Sequence, residues 1–501
     1  MNAVEDAGAT AGRRPAASPT VLPRVVSLSA VPLFSPALPA AALGATSPPT
    51  PTSDVRSPVG VDWSLVVTLR RRAAAEISAG MQEHHDRHGT RLSAQDRIMM
   101  GRSVIGGIVR QHAEQLSMSG AALWPISLER QYARALEDGI FGYGRLQPLL
   151  EVTDAENIEI NGCGTVRVQY ADGRRTEMPP VADSDEELVE AIRFLGESAT
   201  PTRPFDDMHP TMTLALGDRF RLHAIGFGLS HRPSVTIRQH LLTAVTLRDL
   251  VARDMLPAEL ARFLHAAVLA RKSIIVAGDQ GSGKTTLLRG LVAAIPRTER
   301  FGTIETDYEL LTHLQPGREN VVALQARVGM GELQDGRRLG EVTVADLIPE
   351  ALRQNLMRIV VGEVRGDEAG AMFEAMAAGA GTLATTHSHS SASIMDRLAS
   401  RVAQGGVLTI PEAYRQIAHN VDLLVHIRLT DDTWRGGRRR RYVSEVRQVT
   451  GAIENDRPTT HLTYATDADG VPVSFHPDAG FWADLAPFDH AWSDPRYGGQ
   501  P

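Results

Sequence analysis

Lysine is almost missing from this chain: of its 52 lysine and arginine residues only Lys272 and Lys284 are lysines. The bias toward arginine is that of a GC-rich genome, but it makes each lysine informative. Cysteine is nearly as scarce. Cys163 stands alone, which excludes an intrachain disulfide and fits a reducing compartment. No apolar run reaches the roughly 20 residues that span a bilayer, and Arg13 and Arg14 are followed by Pro and Ala rather than by the apolar core of a signal peptide. A soluble cytoplasmic protein is expected, with any membrane contact made through partners. An excess of positive charge is absent too. The formal net charge is −7, and no basic stripe carries the interleaved aromatics of a nucleic-acid surface.

The chain's 501 residues give room for two to four domains at roughly 100–200 residues each. Residues 1–60, rich in Pro, Ala and Ser, read as a disordered extension. Residues 61–143 read as a helical bundle. Its stripes are Val66, Leu69, Ala73 and Ile77, then Ile98, Met99, Val104, Ile105 and Ile108, then Leu128, Tyr132, Ala135 and Leu136. His84, His85 and His88 lack acidic or Cys partners at ligand spacing, so no metal site is read there. Residues 144–240 alternate as short strands (157–161, 166–170, 212–216, 219–224, 234–237) around an amphipathic helix at 184–195. Residues 241–450 alternate strand and helix, which implies a parallel sheet covered by helices. The strands expected there are 273–277, 301–305, 359–361, 383–386 and 421–428, the last closing the sheet; 443–449 reads as a further strand. Residues 451–501 read as a polar C-terminal tail.

Four features carry chemistry. Gly278-Asp279-Gln280-Gly281-Ser282-Gly283-Lys284-Thr285, continued by Thr286, fits G-x-x-x-x-G-K-[ST] in full. In such a P-loop the glycines let backbone N–H groups converge on phosphate oxygens, and the following helix aims its N-terminus at them. Lys284 adds a full charge, and the Thr285 hydroxyl is a ligand for Mg2+. The flanks agree: an apolar strand precedes the loop and a helix follows. The second feature is Arg358-Ile-Val-Val-Gly-Glu363-Val-Arg365, a strand that delivers a carboxylate to the metal or water beside a terminal phosphate. The third, Thr303 to Glu309, ends a strand in Glu305, Asp307 and Glu309. The fourth, Thr385-Thr386-His387-Ser388-His389, ends a strand in an imidazole.

In this order and spacing the four resemble the traffic ATPases of the type II/type IV secretion superfamily, and in particular the CpaF/TadA group that serves tight-adherence (Flp) pili. The resemblance runs from about Gly144 to Val449. It takes in Gly144-Arg-Leu-Gln-Pro-Leu-Leu150, Asn157–Gly162, Pro233-Ser-Val-Thr-Ile-Arg238, Leu247-Arg-Asp-Leu250, Val361-Gly-Glu-Val-Arg-Gly366 and Thr385-Thr-His387. It implies a RecA-like ATPase domain preceded by a PAS-like α+β domain, ATP and Mg2+ as ligands, a homo-hexameric ring, and inner-membrane platform proteins of a secretion or pilus machine as partners. No nucleic acid is expected, and the chain would sit peripherally at the cytoplasmic face of the inner membrane.

The resemblance also assigns residues. Glu305 orients the attacking water, Glu309 is the second acidic position, Glu363 is the Walker B carboxylate and a metal-shell residue with Thr285, and His387 belongs to the His box. Arg203, Arg221 and Arg238 stand where arginines of the N-terminal domain reach the nucleotide. Three departures are visible: Thr306 replaces an Asp, Gly379-Ala380-Gly381 lacks an earlier His, and Ala323 replaces an Arg. Two other functions compete with the motor. One is a DNA-translocating or partitioning ATPase, for which only the cluster Arg435–Arg441 speaks; the other is a nucleotide-binding scaffold with weak turnover. Which of Glu305, Glu309 and Glu363 handles the water stays open at this point.

Overall fold

The computed structural model describes residues 61–493 except 121, 200–201, 335–336, 365, 367, 378–380 and 407. The extension expected over 1–60, Arg365, and the pair Gly379-Ala380 lie outside the described residues. Two compact units are present, Asp62–Gly142 and Tyr143 onward. The first is three helices, Trp63–His88, Ala94–Met118 and Ile126–Phe141. Its apolar stripes close on one another: Val66, Leu69, Ala73, Ile77, Ile105, Ile108, Tyr132, Ala135 and Leu136 are all buried. Met99, expected in the second stripe, is instead exposed. Among the described residues no helix is long and apolar enough to cross a membrane.

The second unit holds two sheets. The first contains β1 (Ala155–Asn161), β2 (Val166–Tyr170), β3 (Arg175–Met178), β4 (Thr211–Leu216), β5 (Phe220–Ile225) and β6 (Ser234–Gln239), in the order β3-β2-β1-β6-β5-β4. Neighbours are antiparallel throughout. Helix Asp185–Glu197, whose Ser184 side chain accepts from the Glu187 N–H, buries Leu188 and Ile192 in the core of this sheet.

The second sheet has nine strands in the order β17-β16-β15-β14-β7-β13-β12-β8-β9. They are β7 (Ile274–Gly278), β8 (Phe301–Glu305), β9 (Val321–Gln325), β12 (Ile359–Val364), β13 (Leu383–His387), β14 (Leu423–Asp431), β15 (Arg439–Glu454), β16 (Arg457–Thr466) and β17 (Pro472–Phe475). A short hairpin, β10 (Met330–Gln334) with β11 (Arg337–Leu339), stands apart. From β14 to β9 the strands are parallel. Helices on both faces explain why β7 and β8 are buried at every position. Helices Ala258–Leu269, Lys284–Ala293 and Ala479–Asp489 share one core, with Leu264, Val276, Leu288 and Leu485 in it. Helices Val344–Leu352, Glu368–Ala377, Ile394–Gln404 and Ile410–Asn420 share the other, with Ile275, Ile348, Phe373, Leu398 and Ile417. Each such side chain contributes about 1.5–3 kcal/mol on burial.

Two expectations are corrected. The strand at 421–428 does not close the sheet: β14 lies inside it, followed outward by the antiparallel β15, β16 and β17. Nor is the stretch after Thr450 a polar tail. It holds the end of β15, all of β16 and β17, and the helix Ala479–Asp489. Its scattered aromatics are the reason: Phe475, Phe481 and Trp482 all pack around Phe263.

Candidate functional site

The carboxyl ends of four adjacent parallel strands, β7, β13, β12 and β8, bring the sequence motifs side by side. Open α/β sheets take ligands at that edge. The P-loop leaves β7. Gly281 and Gly283 have φ of 73° and 97°, the left-handed region that favours glycine. Gly278 is required for a different reason: a Cβ there would lie 2.4 Å from the Ile427 carbonyl oxygen. Lys284 opens the following helix with its side chain buried. Its Nζ donates to the carbonyl oxygens of Gly278 (3.1 Å) and Asp279 (2.9 Å) and to His387 Nδ1 (3.2 Å).

That last bond fixes a tautomer. Lysine only donates, so His387 Nδ1 accepts and the ring proton sits on Nε2. Nε2 is 2.6 Å from Glu363 Oε1. Lys284, His387 and Glu363 therefore form a chain from the P-loop across β13 to β12, consistent with the register that sets His387 beside Gly278.

Glu305 ends β8, buried, with Oε1 accepting from the N–H groups of Glu309 (3.0 Å) and Leu310 (2.8 Å). Its Oε2 is buried without a hydrogen-bond partner. Burial pushes its pKa up to about 7 against those two backbone bonds, and the nearby Glu309 adds to the rise. The side chain crosses Gly362: a Cβ there would lie 2.9 Å from Glu305 Cγ and 3.2 Å from Oε1. The glycine before Glu363 thus makes room for the first carboxylate of the third motif.

Glu309 is held differently. Arg221 Nη1 donates to its Oε1 at 2.7 Å, Thr285 Oγ1 donates to its Oε2 at 3.3 Å, and Arg221 Nη2 lies 3.2 Å from Asp307. Burial raises the Glu309 pKa, but Arg238, His240 and Arg221 outweigh it and hold the carboxyl below its ordinary range. Arg221 and Arg238 stand directly opposite each other on β5 and β6. Like charges so placed repel, and Glu309 with Asp307 supplies the compensating charge. The structure thus brings Arg221 and Arg238 to the motifs. Arg203 donates its backbone N–H to Gly196, and no ion pair among the described residues joins it to Glu305, Glu309 or Glu363.

Sequence patterns missed three participants. Arg289 donates from Nε, at 3.0 Å, and from Nη2 to the Glu309 carbonyl, and from Nη1 to the Leu242 carbonyl at 2.6 Å. Its signal was a charge set among Leu287, Leu288, Leu291 and Val292 on a helix. Gly362 and Glu156 carried none, because their roles arise from contacts across the fold; Glu156, on β1, accepts from Arg439 and Arg441 of β15. A cavity of about 830 Å³ opens beside Gly281, Gly283, Thr285 and Thr286, with Arg238, His240, Arg289 and Glu309 at one side and Arg439 and Arg441 at another.

Hard oxygen donors suit Mg2+. Thr285 Oγ1 and the neighbouring carboxylates provide them, and no group of three His, Cys, Asp or Glu that could hold a metal exists among the described residues. Such an ion takes the rest of its shell from phosphate and water.

Residues 159–462 match the family model of the type II/IV secretion system protein. The chain belongs to that family of traffic ATPases. A putative conjugal transfer protein of Mycobacterium tuberculosis is 30% identical over 338 residues, 64% of this chain and 89% of the relative. Protein VirB11 of Agrobacterium fabrum is 34% identical over 183 residues, 36% of this chain and half of VirB11. Among solved structures, the VirB11 ATPase of the Brucella suis type IV secretion system in complex with sulphate is 26% identical. It covers 61% of this chain and 96% of its own, at a TM-score of 0.32. The traffic-ATPase match spans both sheets, from within β1 to within β16.

Proposed function

We propose that the chain hydrolyses ATP as one subunit of a homo-hexameric motor serving a secretion or Flp-type pilus machine. The observation that carries this reading is the chain Lys284–His387–Glu363 beside the pair Thr285–Glu309. It sets a phosphate-binding lysine, an imidazole and carboxylates around one point of the sheet edge. Lys284 and the loop N–H groups bind the β- and γ-phosphates of ATP. Thr285 and Glu363 would hold Mg2+, and the ion would supply neutralisation of phosphate charge. Glu305 orients and deprotonates the attacking water: a carboxyl whose pKa sits near 7 is matched to that task at neutral pH. Glu363 holds His387 toward Lys284, so the imidazole senses what the lysine binds. Arg221 and Arg238 offset charge on the transferring phosphoryl group from the six-stranded sheet.

Coupling follows from the same contacts. Arg221 belongs to the six-stranded sheet and Glu309 to the segment that follows β8 of the nine-stranded one, while Arg289 joins Glu309 to Leu242 in the connection between the sheets. A change at the phosphates therefore pulls on the joint between the sheets. A peripheral place at the inner membrane, contact with platform proteins, and the division into a PAS-like domain at 144–240 and a RecA-like domain at 241–450 belong to this proposal. The conjugal-transfer role printed for the mycobacterial relative and the type II/IV secretion designation of the family support it.

Steady-state ATPase assays of single variants test the assignments. Lys284→Ala is expected to abolish turnover, and Glu305→Gln to lower kcat by about 10²-fold or more with less change in KM. Full activity in Glu305→Gln together with loss in Glu363→Gln would move the water-activating role to Glu363.

A further inference from the structure

The phosphate chemistry makes no use of the arginines of β15, yet the fold brings two of them to the P-loop. Alternation along the strand puts Arg439 and Arg441 on one face. Arg441 donates from Nε to the Gly281 carbonyl at 2.7 Å and from Nη2 to both Glu156 oxygens, at 2.6 and 2.8 Å. Arg439 donates from Nη1 to Glu156 Oε2 at 2.9 Å. Glu156 lies on β1, so these contacts join the six-stranded sheet to the P-loop.

Two guanidiniums share one carboxylate, and the side chains of Arg439 and Glu156 are only 9% and 14% exposed. Arg439 Nε is buried without a hydrogen-bond acceptor, its nearest carboxylate being Asp431 at 3.6 Å. Among the described residues neither Arg439 Nη2 nor Arg441 Nη1 donates to the protein. Both nitrogens, unlike the buried Arg439 Nε, keep accessible surface, and both side chains line the 830 Å³ cavity, where guanidinium donors suit an anionic acceptor. The cavity also touches Thr285 and Thr286 but none of Lys284, Glu363 and His387. Arg238 and Glu309 line it as well, so it adjoins the phosphate-side groups, and Arg439 and Arg441 enter it beside Gly281.

We propose that Arg439 and Arg441 bind the nucleotide at its α-phosphate and sugar, with Glu156 as the positioning residue that holds both guanidiniums toward the cavity. Nucleotide affinity is thereby tied to the seat of the six-stranded sheet on the P-loop. The inference rests on the ATPase reading above and adds to it a binding element on β15.

The test uses the full chain, with ADP binding measured by titration calorimetry and KM and kcat measured for ATP. The double variant Arg439→Gln/Arg441→Gln is expected to weaken ADP binding about tenfold or more, raising KM more than it lowers kcat. Glu156→Gln loosens the same contacts but leaves both positive charges for the phosphate, so it weakens ADP binding by no more than about threefold. A clamp with a purely structural role predicts equal losses in the two variants, and that result overturns the proposal. Should the double variant fail to fold, Arg441→Lys keeps the charge and loses the fork; its ADP affinity is expected to fall, and an unchanged affinity overturns the proposal. Wild-type chain that binds and hydrolyses ATP beside unaffected arginine variants refutes this inference alone. Wild-type chain that binds no ADP refutes the ATPase reading as well.

Discussion

Glu305 and Gly362 show how one residue's environment sets another's chemistry. Burial raises the Glu305 pKa to about 7, so the folded state prefers the protonated carboxyl. Its contribution to stability is fully present below the ordinary glutamate value and is lost as the pH rises through about 7. Urea denaturation of wild type and Glu305→Gln between pH 5 and 8 is expected to show stability falling with pH in the wild type and a flatter profile in the variant. Equal slopes would remove Glu305 as the titrating group. Gly362 acts on the same carboxyl through space. In Gly362→Ala the new methyl meets Glu305 Cγ and Oε1, so the carboxyl moves and kcat falls on the order of 10²-fold, with ADP binding largely retained. A Gly362→Ala enzyme of normal kcat would contradict the assignment of Glu305 to the water. The P-loop, Glu363 and His387 were legible in the sequence because each is a short run on a strand end. The proposed choice of Glu305 among the carboxylates was not legible, since it rests on which one is buried, which is paired with arginine, and which packs on a glycine.

At the scale of elements, the second scarce lysine explains the C-terminal helix. Lys272 Nζ lies 3.1 Å from Asp484 and 4.8 Å from the centre of the Phe481 ring. Arg262 pairs with Asp489, and Arg248 packs over the Trp492 ring at 4.9 Å. Phe481 and Leu485 enter the core on the P-loop side of the sheet. Phe481→Ala is expected to cost about 3–5 kcal/mol, read as a lowered denaturation midpoint. A loss below about 0.5 kcal/mol would show that the helix does not belong to that core. The helix was hidden in the sequence because Ala479–Asp489 lacks a clear polar face and carries Pro487. The parallel strands from β7 to β14 were legible as continuous apolar runs between helical stretches. The antiparallel extension by β16 and β17 was not, because their residues alternate with polar ones at the outer edge of the sheet. Arg358, fully buried and paired with Glu299 at 2.7 Å while donating to the Val268 carbonyl, marks another limit. At the start of the Walker B strand it reads as a flanking charge, whereas the fold uses it to tie three elements beneath the sheet.

For the molecule as a whole, the site lies where two sheets meet. Arg221 and Glu156 come from the six-stranded sheet, Arg439 and Arg441 from the nine-stranded one, and Gly281 and Glu309 from the loops that follow its strands β7 and β8. A ligand that shifts the phosphate-side contacts acts on this joint, which is the physical basis for the proposed motor. Family membership and the P-loop were legible in the sequence; the joint was not, because its contacts link residues far apart in the chain, from 88 positions for Arg221 and Glu309 to 285 for Glu156 and Arg441. ATP turnover per chain, measured across protein concentrations alongside the mass distribution of the same samples, tests the central claim most directly. The account predicts a rate per chain that is low in the monomer, rises as the hexamer forms, and disappears at every concentration in Lys284→Ala. A rate per chain that is the same in monomer and assembly, or that survives in Lys284→Ala, would contradict it.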